Sequence, residues 1–307
     1  MRATEAVGAQ PPLRKLVTLD SIPITYTDTG GSGPVIVCMH AIGHGARDFE
    51  DFSHRLAGHY RVIAFDFPGQ GCSGNDMRAT ACGTRYAELL ELLIDRLELS
   101  SIVLLGNSIG GATAVRYAAS HPERVKALVL CNSGGLRPPG SIDRAFIQLL
   151  VHFFAAGARG AKWFPWAFGK YYRIVLREQP SHEQRNRIVH SAYEVAPVLE
   201  QAWRSFAQPH EDLSALLPSI RCPVLLAWAK GDRIIPLKAT SPAFKAFTNH
   251  RIQTFKGGHA AFLEDPERFA SAVRDFLDGY LMGDKAKLRQ LRDLPRKMRD
   301  IEEISAE

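Results

Sequence analysis

A serine, an aspartate and a histidine are the residues of this chain best placed to do chemistry. Ser108 stands at the centre of the G-x-S-x-G segment Gly106–Gly110, and Asp232 and His259 each follow a glycine further along. A serine hydroxyl is a poor nucleophile at neutral pH, so it needs a base to take its proton and an acid to orient that base. The pattern predicts Ser108 as nucleophile, His259 as base and Asp232 as orienting acid.

The segment around Ser108 has the strand–turn–helix context that holds a nucleophile. The apolar run Ile102–Leu105 predicts a buried strand, and Ala112–Ser120 predicts a helix. Glycines flank the serine because a sharp turn between strand and helix leaves no room for side chains there. The free N–H groups at the start of the helix place partial positive charge at the same point.

A tetrahedral intermediate on Ser108 would need two backbone donors for its negatively charged oxygen. The N–H of Ile109, directly after the nucleophile, is the first predicted donor. Ile42 is the second, in the loop His40–Gly43 that follows an apolar, strand-like run. His40 is assigned to the substrate-binding residues, where we expect it to brace the turn.

Asp232 and His259 each lie in a loop just after a predicted strand, Val224–Trp228 for the first and Arg251–Phe255 for the second. Because the carboxyl ends of parallel strands meet at one edge of a sheet, both side chains are expected there beside Ser108. The alternative interpretation is structural, since a Gly-Asp pair is often only a turn and a single histidine often only a core or surface residue.

Two other aspartates are rivals for the role of the acid. Asp212 precedes a helix-like segment, and Asp265 precedes Pro266. Both positions are typical of helix starts, where a short acidic side chain caps free N–H groups. Asp232 therefore stays the preferred acid.

Strand-like and helix-like segments alternate along most of the chain, which predicts an α/β fold with a mostly parallel, eight-stranded sheet flanked by helices. The first two predicted strands form a leading antiparallel pair. The predicted strands are Leu16–Leu19, Ile22–Asp28, Val35–Met39, Arg61–Phe67, Ile102–Leu105, Val125–Leu130, Pro223–Ala229 and Arg251–Phe255. The helices predicted to flank them are Asp48–Gly58, Arg85–Leu97, Ala112–Ser120 and Phe262–Tyr280.

Composition shifts divide the chain into four parts. Residues 1–15 predict a flexible arm without the apolar stretch of a secretory signal. Residues 16–136 and 208–282 predict the α/β core. Residues 137–207 lose the strand-like rhythm and predict a helical lid over the carboxyl ends of the strands, with packed surface helices as the alternative. Residues 283–307 predict a charged amphipathic extension, for which self-association into a homo-oligomer and docking on its own domain both stay open.

The composition is that of a soluble globular protein. Of 307 residues, 46% are hydrophobic and 23% charged. No apolar run approaches the ~20 residues of a membrane span. Five scattered cysteines without a C-x-x-C pair predict reduced thiols in a cytoplasmic protein, with no metal and no cofactor.

The formal charge of +6 is concentrated in one segment. Between Arg137 and His210, ten Lys and Arg residues stand against five Asp and Glu. These cations do not alternate with aromatic residues along a regular face, so nucleic acid is a poor partner and a small-molecule substrate is expected. Aromatic and apolar side chains in the same segment predict a hydrophobic pocket wall.

These residues resemble the α/β-hydrolase superfamily over about Val17–Tyr280, apart from the inserted helices. The resemblance implies the fold and the serine mechanism, and the order Ser, Asp, His is the one found in this fold. Some related enzymes carry the acid after the strand that ends near Leu130, where this chain has Asn132. The motifs that carry the resemblance are His40–Gly43, Asp66–Ser73, Gly106–Gly111, Gly231-Asp232 and Gly258-His259.

The segment Gly106–Ala112 more narrowly resembles the meta-cleavage-product hydrolases, which cleave carbon–carbon bonds of vinylogous diketo acids. The resemblance implies Asn107 as a polar substrate-binding residue beside the nucleophile and a lid arginine for the substrate carboxylate. Arg173, Arg177 and Arg187 are the candidates, with a solvated basic surface as the alternative.

The sequence departs from that subfamily at Ala41, where the family has glycine, and at Ala260, where the subfamily has tryptophan. The leading prediction is therefore a serine hydrolase that acts through an acyl-enzyme on a small or medium, partly hydrophobic carboxylic ester. Carbon–carbon hydrolysis of an anionic vinylogous diketo acid is the alternative. From another class, a ligand-binding protein and a cofactor-independent lyase or oxygenase of the same fold stay open.

Overall fold

The computed structural model describes residues 13–281 of the 307. Eight strands of this part form one sheet: β1 (Arg14–Leu19), β2 (Ile22–Asp28), β3 (Val35–Met39), β4 (Arg61–Phe65), β5 (Ile102–Asn107), β6 (Val125–Cys131), β7 (Val224–Ala229) and β8 (His250–Phe255). Their order is β1-β2-β4-β3-β5-β6-β7-β8. β2 pairs antiparallel with β1 and β4, and the five remaining pairs are parallel, which confirms the predicted fold.

The centre of the sheet is apolar because helices cover both of its faces. β5 and β7 are buried at every position. Trp228, near the end of β7, is fully buried, and its Nε1 donates to the carbonyl of Ile235 over 2.9 Å. That bond fastens the loop after β7 to the strand itself.

Ten α-helices lie in the described part of the chain. They are α1 (Glu50–Leu56), α2 (Gly83–Arg96), α3 (Ile109–Ser120), α4 (Ser141–Ala158), α5 (Phe164–Val175), α6 (His182–His190), α7 (Ala192–Ser205), α8 (Leu237–Thr240), α9 (Ala261–Glu264) and α10 (Pro266–Leu281). Helices α4 to α7 stand between β6 and β7. None of the helices described in residues 13–281 combines the length and apolar character that crossing a bilayer would require.

The inserted helices α4 to α7 have an aromatic core of their own. Helices α4 and α7 pack against each other. Phe154 of α4 is fully buried, and its ring stacks on Trp203 of α7 and meets Phe164 of α5 edge-on. The insertion is therefore held by apolar packing.

Several boundaries differ from the prediction. The predicted helix Phe262–Tyr280 is two helices, because Pro266 disfavours helical backbone in the residue before it and Asp265 has ψ 56°. The predicted helix from Asp48 to Gly58 begins with a 3₁₀ turn and ends at Leu56. β1 begins at Arg14, inside the predicted arm. Residues 1–12 of that arm and the predicted extension 283–307 lie outside the described residues.

Candidate active site

The turn between β5 and α3 holds Ser108 in an unusual backbone conformation. Its φ is 58° and its ψ −117°, a region that costs a non-glycine residue about 1–3 kcal/mol. Backbone bonds fix it there, because Ser108 N donates to Cys131 O (3.1 Å) and Ser108 O accepts from Gly134 N (3.0 Å). Strain held by its surroundings is a frequent property of functional positions.

The glycines around Ser108 are explained by close approach of backbone segments. A Cβ on Gly106 would collide with the carbonyl of Gly110, and one on Gly110 would collide with the carbonyl of Met39. The start of α3 therefore lies directly against the end of β3. This contact brings the loop that carries Ile42 to the turn that carries Ser108.

The two predicted oxyanion donors are Ile42 and Ile109. Both residues are buried. Neither backbone N–H donates a hydrogen bond within residues 13–281, and Ile109 lines the cavity that opens at Ser108. Their role as donors stays a prediction.

Asp232 and His259 are in direct contact. His259 Nδ1 lies 2.8 Å from Asp232 Oδ2, and the side chains are 6% and 0% exposed. The other carboxylate oxygen accepts from Ile234 N (2.7 Å) and Ile235 N (3.0 Å). An ionised carboxylate can only accept, so Nδ1 of the imidazole is the donor and Nε2 of the neutral ring is free to accept a proton. This is the tautomer that a general base requires.

Asn132 is a site residue that the sequence did not single out. It follows β6 in the left-handed region (φ 46°), and its Nδ2 donates to Asp232 Oδ2 over 2.6 Å. Its Oδ1 accepts from Ala229 N (3.2 Å), at the end of the neighbouring strand. The sequence did contain a signal for this contact. β6 and β7 are adjacent parallel strands, so the residues that follow them lie side by side. By resemblance alone, this position is only the place where some related enzymes carry the acid.

Asn107 lies beneath the turn and not at the surface of the cavity. Its side chain is fully buried, and Nδ2 donates to Cys131 O (3.0 Å) and His259 O (2.8 Å). Asn107 is not among the residues that line the cavity at Ser108, and its contact with substrate stays a prediction. Asn107 directly precedes Ser108, so its side-chain bond to His259 O links the histidine loop to the turn that carries Ser108.

Ser108 lines the cavity described below. Within the described residues it makes no hydrogen bond to His259. The histidine loop is nonetheless adjacent, because Asn107 contacts the carbonyl of His259. Nucleophile–base hydrogen bonds are often long in unliganded enzymes and shorten when substrate binds.

His40 braces the loops after β3 and β4. It is fully buried, with Nδ1 2.7 Å from Ala41 O and Nε2 accepting from Phe67 N over 2.9 Å. Burial lowers the pKa of His40, which keeps the ring neutral and Nε2 able to accept. With both nitrogens engaged, the ring braces the turn, and binding of substrate by His40 stays a prediction.

A cavity of about 140 Å³ opens at Ser108. Most of its wall is apolar and comes from the Ser108 turn, the inserted helices and the loop after β7. The apolar lining residues are Ile109, Ala112, Leu136, Pro139, Phe146, Ile147, Trp203, Phe206, Ile234, Ile235 and Pro236. This wall suits a hydrophobic group of a substrate.

The charged residues of this wall are already paired. Arg137 forms two hydrogen bonds with Asp143, of 2.7 and 2.9 Å. Glu211 lies 3.3 Å from the guanidinium of Arg116. Among the described lining residues, no cation is left unpaired for an anionic substrate group.

The three arginines predicted to clamp a substrate carboxylate lie outside this cavity. Arg173 is exposed, and Arg177 is exposed with its guanidinium donating to Gly231 O over 3.3 Å. Arg187 is half-buried and lines a second cleft behind Gly43. Burial and the neighbouring Arg47 lower the pKa of Arg187. The predicted clamp is not assembled at Ser108, because α5, α6 and the segment between them direct these side chains toward other surfaces.

Glu264 is a second site residue that the sequence analysis did not name. It is fully buried; Oε2 accepts from Gly258 N (2.6 Å), and Oε1 accepts from Arg177 N (2.5 Å) and the following N–H (3.0 Å). His259 N in turn donates to Val175 O over 2.7 Å. Burial raises the pKa of Glu264, and the backbone donors oppose that rise. The carboxylate therefore ties the histidine loop to the end of α5.

The rival acids lie apart from His259. Asp212 Oδ1 accepts from Ser214 N over 3.0 Å, a local turn contact. Asp265 directly precedes α10, and its carbonyl accepts from Phe269 N over 2.9 Å. Both aspartates make hydrogen bonds to residues close to them in sequence.

Comparison with known proteins gives extended matches. The family model described as alpha/beta hydrolase family matches residues 36–272. The 2-hydroxy-6-oxononadienedioate/2-hydroxy-6-oxononatrienedioate hydrolase 2 of Pseudomonas putida is 27% identical over 263 residues, which cover 83% of this chain and 92% of that protein.

Solved structures give similar matches. A membrane phospholipase A, described as a bacterial virulence factor, has a TM-score of 0.76 and 26% identity, covering 88% of this chain and 87% of that one. An esterase from Thermogutta terrifontis has a TM-score of 0.72 and 22% identity, covering 87% and 99%. The second match shows the fold alone.

Proposed function

Because this chain belongs to the alpha/beta hydrolase family, we propose that it is a serine hydrolase with Ser108 as nucleophile, His259 as base and Asp232 as orienting acid. The observation that carries the proposal is the buried contact of 2.8 Å between His259 Nδ1 and Asp232 Oδ2. The strained backbone of Ser108 and the link through Asn107 support the same assignment.

The proposed reaction has two halves. Ser108 Oγ attacks the ester carbonyl carbon while His259 Nε2 takes its proton, and the N–H groups of Ile42 and Ile109 stabilise the resulting oxyanion. When this tetrahedral intermediate collapses, the bond between the carbonyl carbon and the alcohol oxygen breaks. The alcohol leaves with the proton that His259 took from Ser108. Water then attacks the acyl-enzyme while His259 takes its proton; the bond from the acyl carbon to Ser108 Oγ breaks, His259 returns the proton to Oγ, and the acid is released. Asp232 stabilises the imidazolium in both halves.

The substrate class follows from the wall of the cavity. An apolar group on the substrate would lie against side chains such as Phe146 and Trp203. A carboxylate would be buried without a free cation, since Arg137 already binds Asp143, and burying an unpaired charge is costly. We therefore propose a carboxylic ester with a hydrophobic acyl or alcohol group, with the inserted helices α4 to α7 as a lid.

Carbon–carbon hydrolysis is the second candidate, and the match to the Pseudomonas putida hydrolase favours it. The name of that relative describes a dicarboxylate substrate. In this chain, such a substrate would need Arg187 to turn from its own cleft toward Ser108, or the Arg137–Asp143 pair to open.

A substrate panel tests these assignments. Purified enzyme is assayed with p-nitrophenyl esters of increasing acyl length and with a vinylogous diketo acid. We expect ester hydrolysis that rises with acyl length, and loss of on the order of 10⁴-fold in kcat for Ser108→Ala without loss of fold. Turnover of the diketo acid alone would transfer the assignment to carbon–carbon hydrolysis. Turnover like wild type in Ser108→Ala would overturn the serine mechanism.

A further inference from the structure

The outer face of α4 exposes large apolar side chains in one stripe. Ile142 is 87% exposed, Phe146 36% and Leu149 64%. Their spacings of four and three place them on the same side of the helix. An exposed helix face in water is usually polar, so a contiguous apolar stripe indicates a surface that meets something else.

The stripe continues onto the start of α5. Phe153, one turn beyond Leu149, has its ring 5.9 Å from the ring of Trp163. Trp163 is 52% exposed and Trp166 is 72% exposed. Tryptophan is the side chain that most favours the boundary between water and lipid, because its large apolar ring carries one polar N–H.

The span that carries this stripe is rich in cations and poor in acids. In the fully described span Ser141–Val175, Asp143 is the one acidic residue, and it is paired with Arg137. Lys170 Nζ lies 5.6 Å from the ring centre of Trp166. All five basic residues of the span are exposed: Arg144, Arg159, Lys162, Lys170 and Arg173.

The stripe meets the cavity at one residue. Phe146 belongs to the stripe and also lines the cavity at Ser108. Its ring packs edge-on against Trp203, another residue of the cavity wall, at 5.8 Å. A molecule that covers the stripe would therefore touch the wall of the candidate active site.

We propose that this face of α4 and α5 docks on a bilayer surface that contains anionic lipids, and that the esters reaching Ser108 come from that surface. In the proposed docking, aliphatic and tryptophan side chains enter the headgroup region while exposed cations of the same span face the lipid phosphates. The docking itself is independent of the proposed serine chemistry. The proposal that the substrates are lipid esters rests on that chemistry.

A second copy of the chain fits this face less well. In a two-fold contact the same patch lies on both partners, which would bring the cations of one copy against those of the other. Like charges at short distance repel, and the span offers no unpaired acid to offset them. Anionic headgroups supply the missing negative charge.

Vesicle sedimentation of the full chain tests the docking. Vesicles of phosphatidylcholine alone are compared with vesicles of phosphatidylcholine mixed with phosphatidylglycerol, at low and high salt. We expect binding to the mixed vesicles that weakens at high salt, and a loss of about tenfold or more in partition for Leu149→Ser and for Trp166→Ser. Met77→Ser is the matched control, since Met77 is 89% exposed outside the insertion, and should bind like wild type.

Activity on two forms of substrate separates the docking from the serine chemistry. Leu149→Ser and Trp166→Ser should hydrolyse a water-soluble p-nitrophenyl ester like wild type and lose activity only on esters held in mixed vesicles. Equal binding of wild type and both variants to mixed vesicles would overturn the docking. A concentration-dependent dimer in sedimentation velocity that Leu149→Ser abolishes would assign the face to a second copy instead. Failure of the soluble-ester assay in wild type would refute the serine proposal and leave the vesicle result as it stands.

Discussion

Asn132 donates its side-chain amide to Asp232 over 2.6 Å, so the proposed acid is held by the end of the neighbouring strand as well as by its own loop. The same carboxylate oxygen accepts from His259. Asp232 is thereby fixed from two sides, and its orientation toward the imidazole does not depend on the histidine alone.

Asn132→Asp tests this contact. The substitution sets two carboxylates at hydrogen-bond distance, and both cannot stay ionised without strong repulsion. One then keeps a proton and competes with His259 for Asp232. We expect kcat/KM for a soluble ester to fall by about tenfold or more near neutral pH, a typical cost for disturbing a group that supports the base. Asn132→Gly keeps the left-handed backbone without strain and should lose less; equal losses would show that the added charge is not the cause.

Glu264→Gln tests the anchor of the histidine loop. In wild type, backbone donors such as Gly258 N point at a carboxylate oxygen of Glu264. In the variant, the NH₂ group of the amide takes the place of one of these oxygens and cannot accept a hydrogen bond. We expect unfolding free energy to fall by about 2 kcal/mol in urea titration, and kcat to fall with KM little changed because His259 is displaced.

The matched control is Glu183→Gln on α6, whose side chain is 83% exposed. This variant should leave the unfolding free energy and kcat unchanged. Wild-type stability in Glu264→Gln would mean that the buried carboxylate does not hold the loop.

The pH dependence of stability should carry a contribution from His40. Burial lowers the pKa of His40 in the folded state, while the unfolded chain has the ordinary value near 6.5. Below that value the unfolded state binds a proton that the folded state excludes, so the contribution is present above pH ~6.5 and is lost as pH falls.

Urea titrations at roughly pH 7 and pH 5 measure this difference. The loss of stability on acidification should be smaller in His40→Gln than in wild type. The same slope in both proteins would remove His40 from the explanation.

A pair of substrates tests the charge balance of the cavity. The pair consists of a p-nitrophenyl ester with an alkyl acyl chain and one of equal length that ends in a carboxylate. Because Arg137 is paired with Asp143, we expect the charged ester to have a kcat/KM lower by about tenfold or more.

Asp143→Asn should recover part of this difference, since it frees the guanidinium of Arg137. Equal rates for the two esters in wild type would show that a cation does reach the substrate.

The sheet was predictable because its signal is local. Strands such as β5 and β7 are short apolar runs, and the alternation with helices fixes a mostly parallel sheet. The sequence could place Ser108, Asp232 and His259 at one edge of the sheet for a related reason. Each lies within four residues of the end of a strand, and the sheet brings these strand ends together.

The supporting contacts were not predictable in the same way. Glu264 acts on backbone N–H groups of a distant segment, which no spacing reveals. The direction of the Arg177 side chain depends on how the inserted helices pack. For Asn107, a position beside the nucleophile does not show which way the side chain points. The break at Asp265 was locally visible in the following proline.

Covalent labelling with a fluorophosphonate tests whether His259 activates Ser108 as a nucleophile. Intact-protein mass spectrometry should show one adduct, mapped to Ser108, that forms rapidly in wild type. It should form at least about 10³-fold more slowly in His259→Ala and be absent in Ser108→Ala. Labelling of Ser108 at the wild-type rate in His259→Ala would show that His259 does not activate it, and no labelling of the folded wild-type protein would show that Ser108 is not a nucleophile.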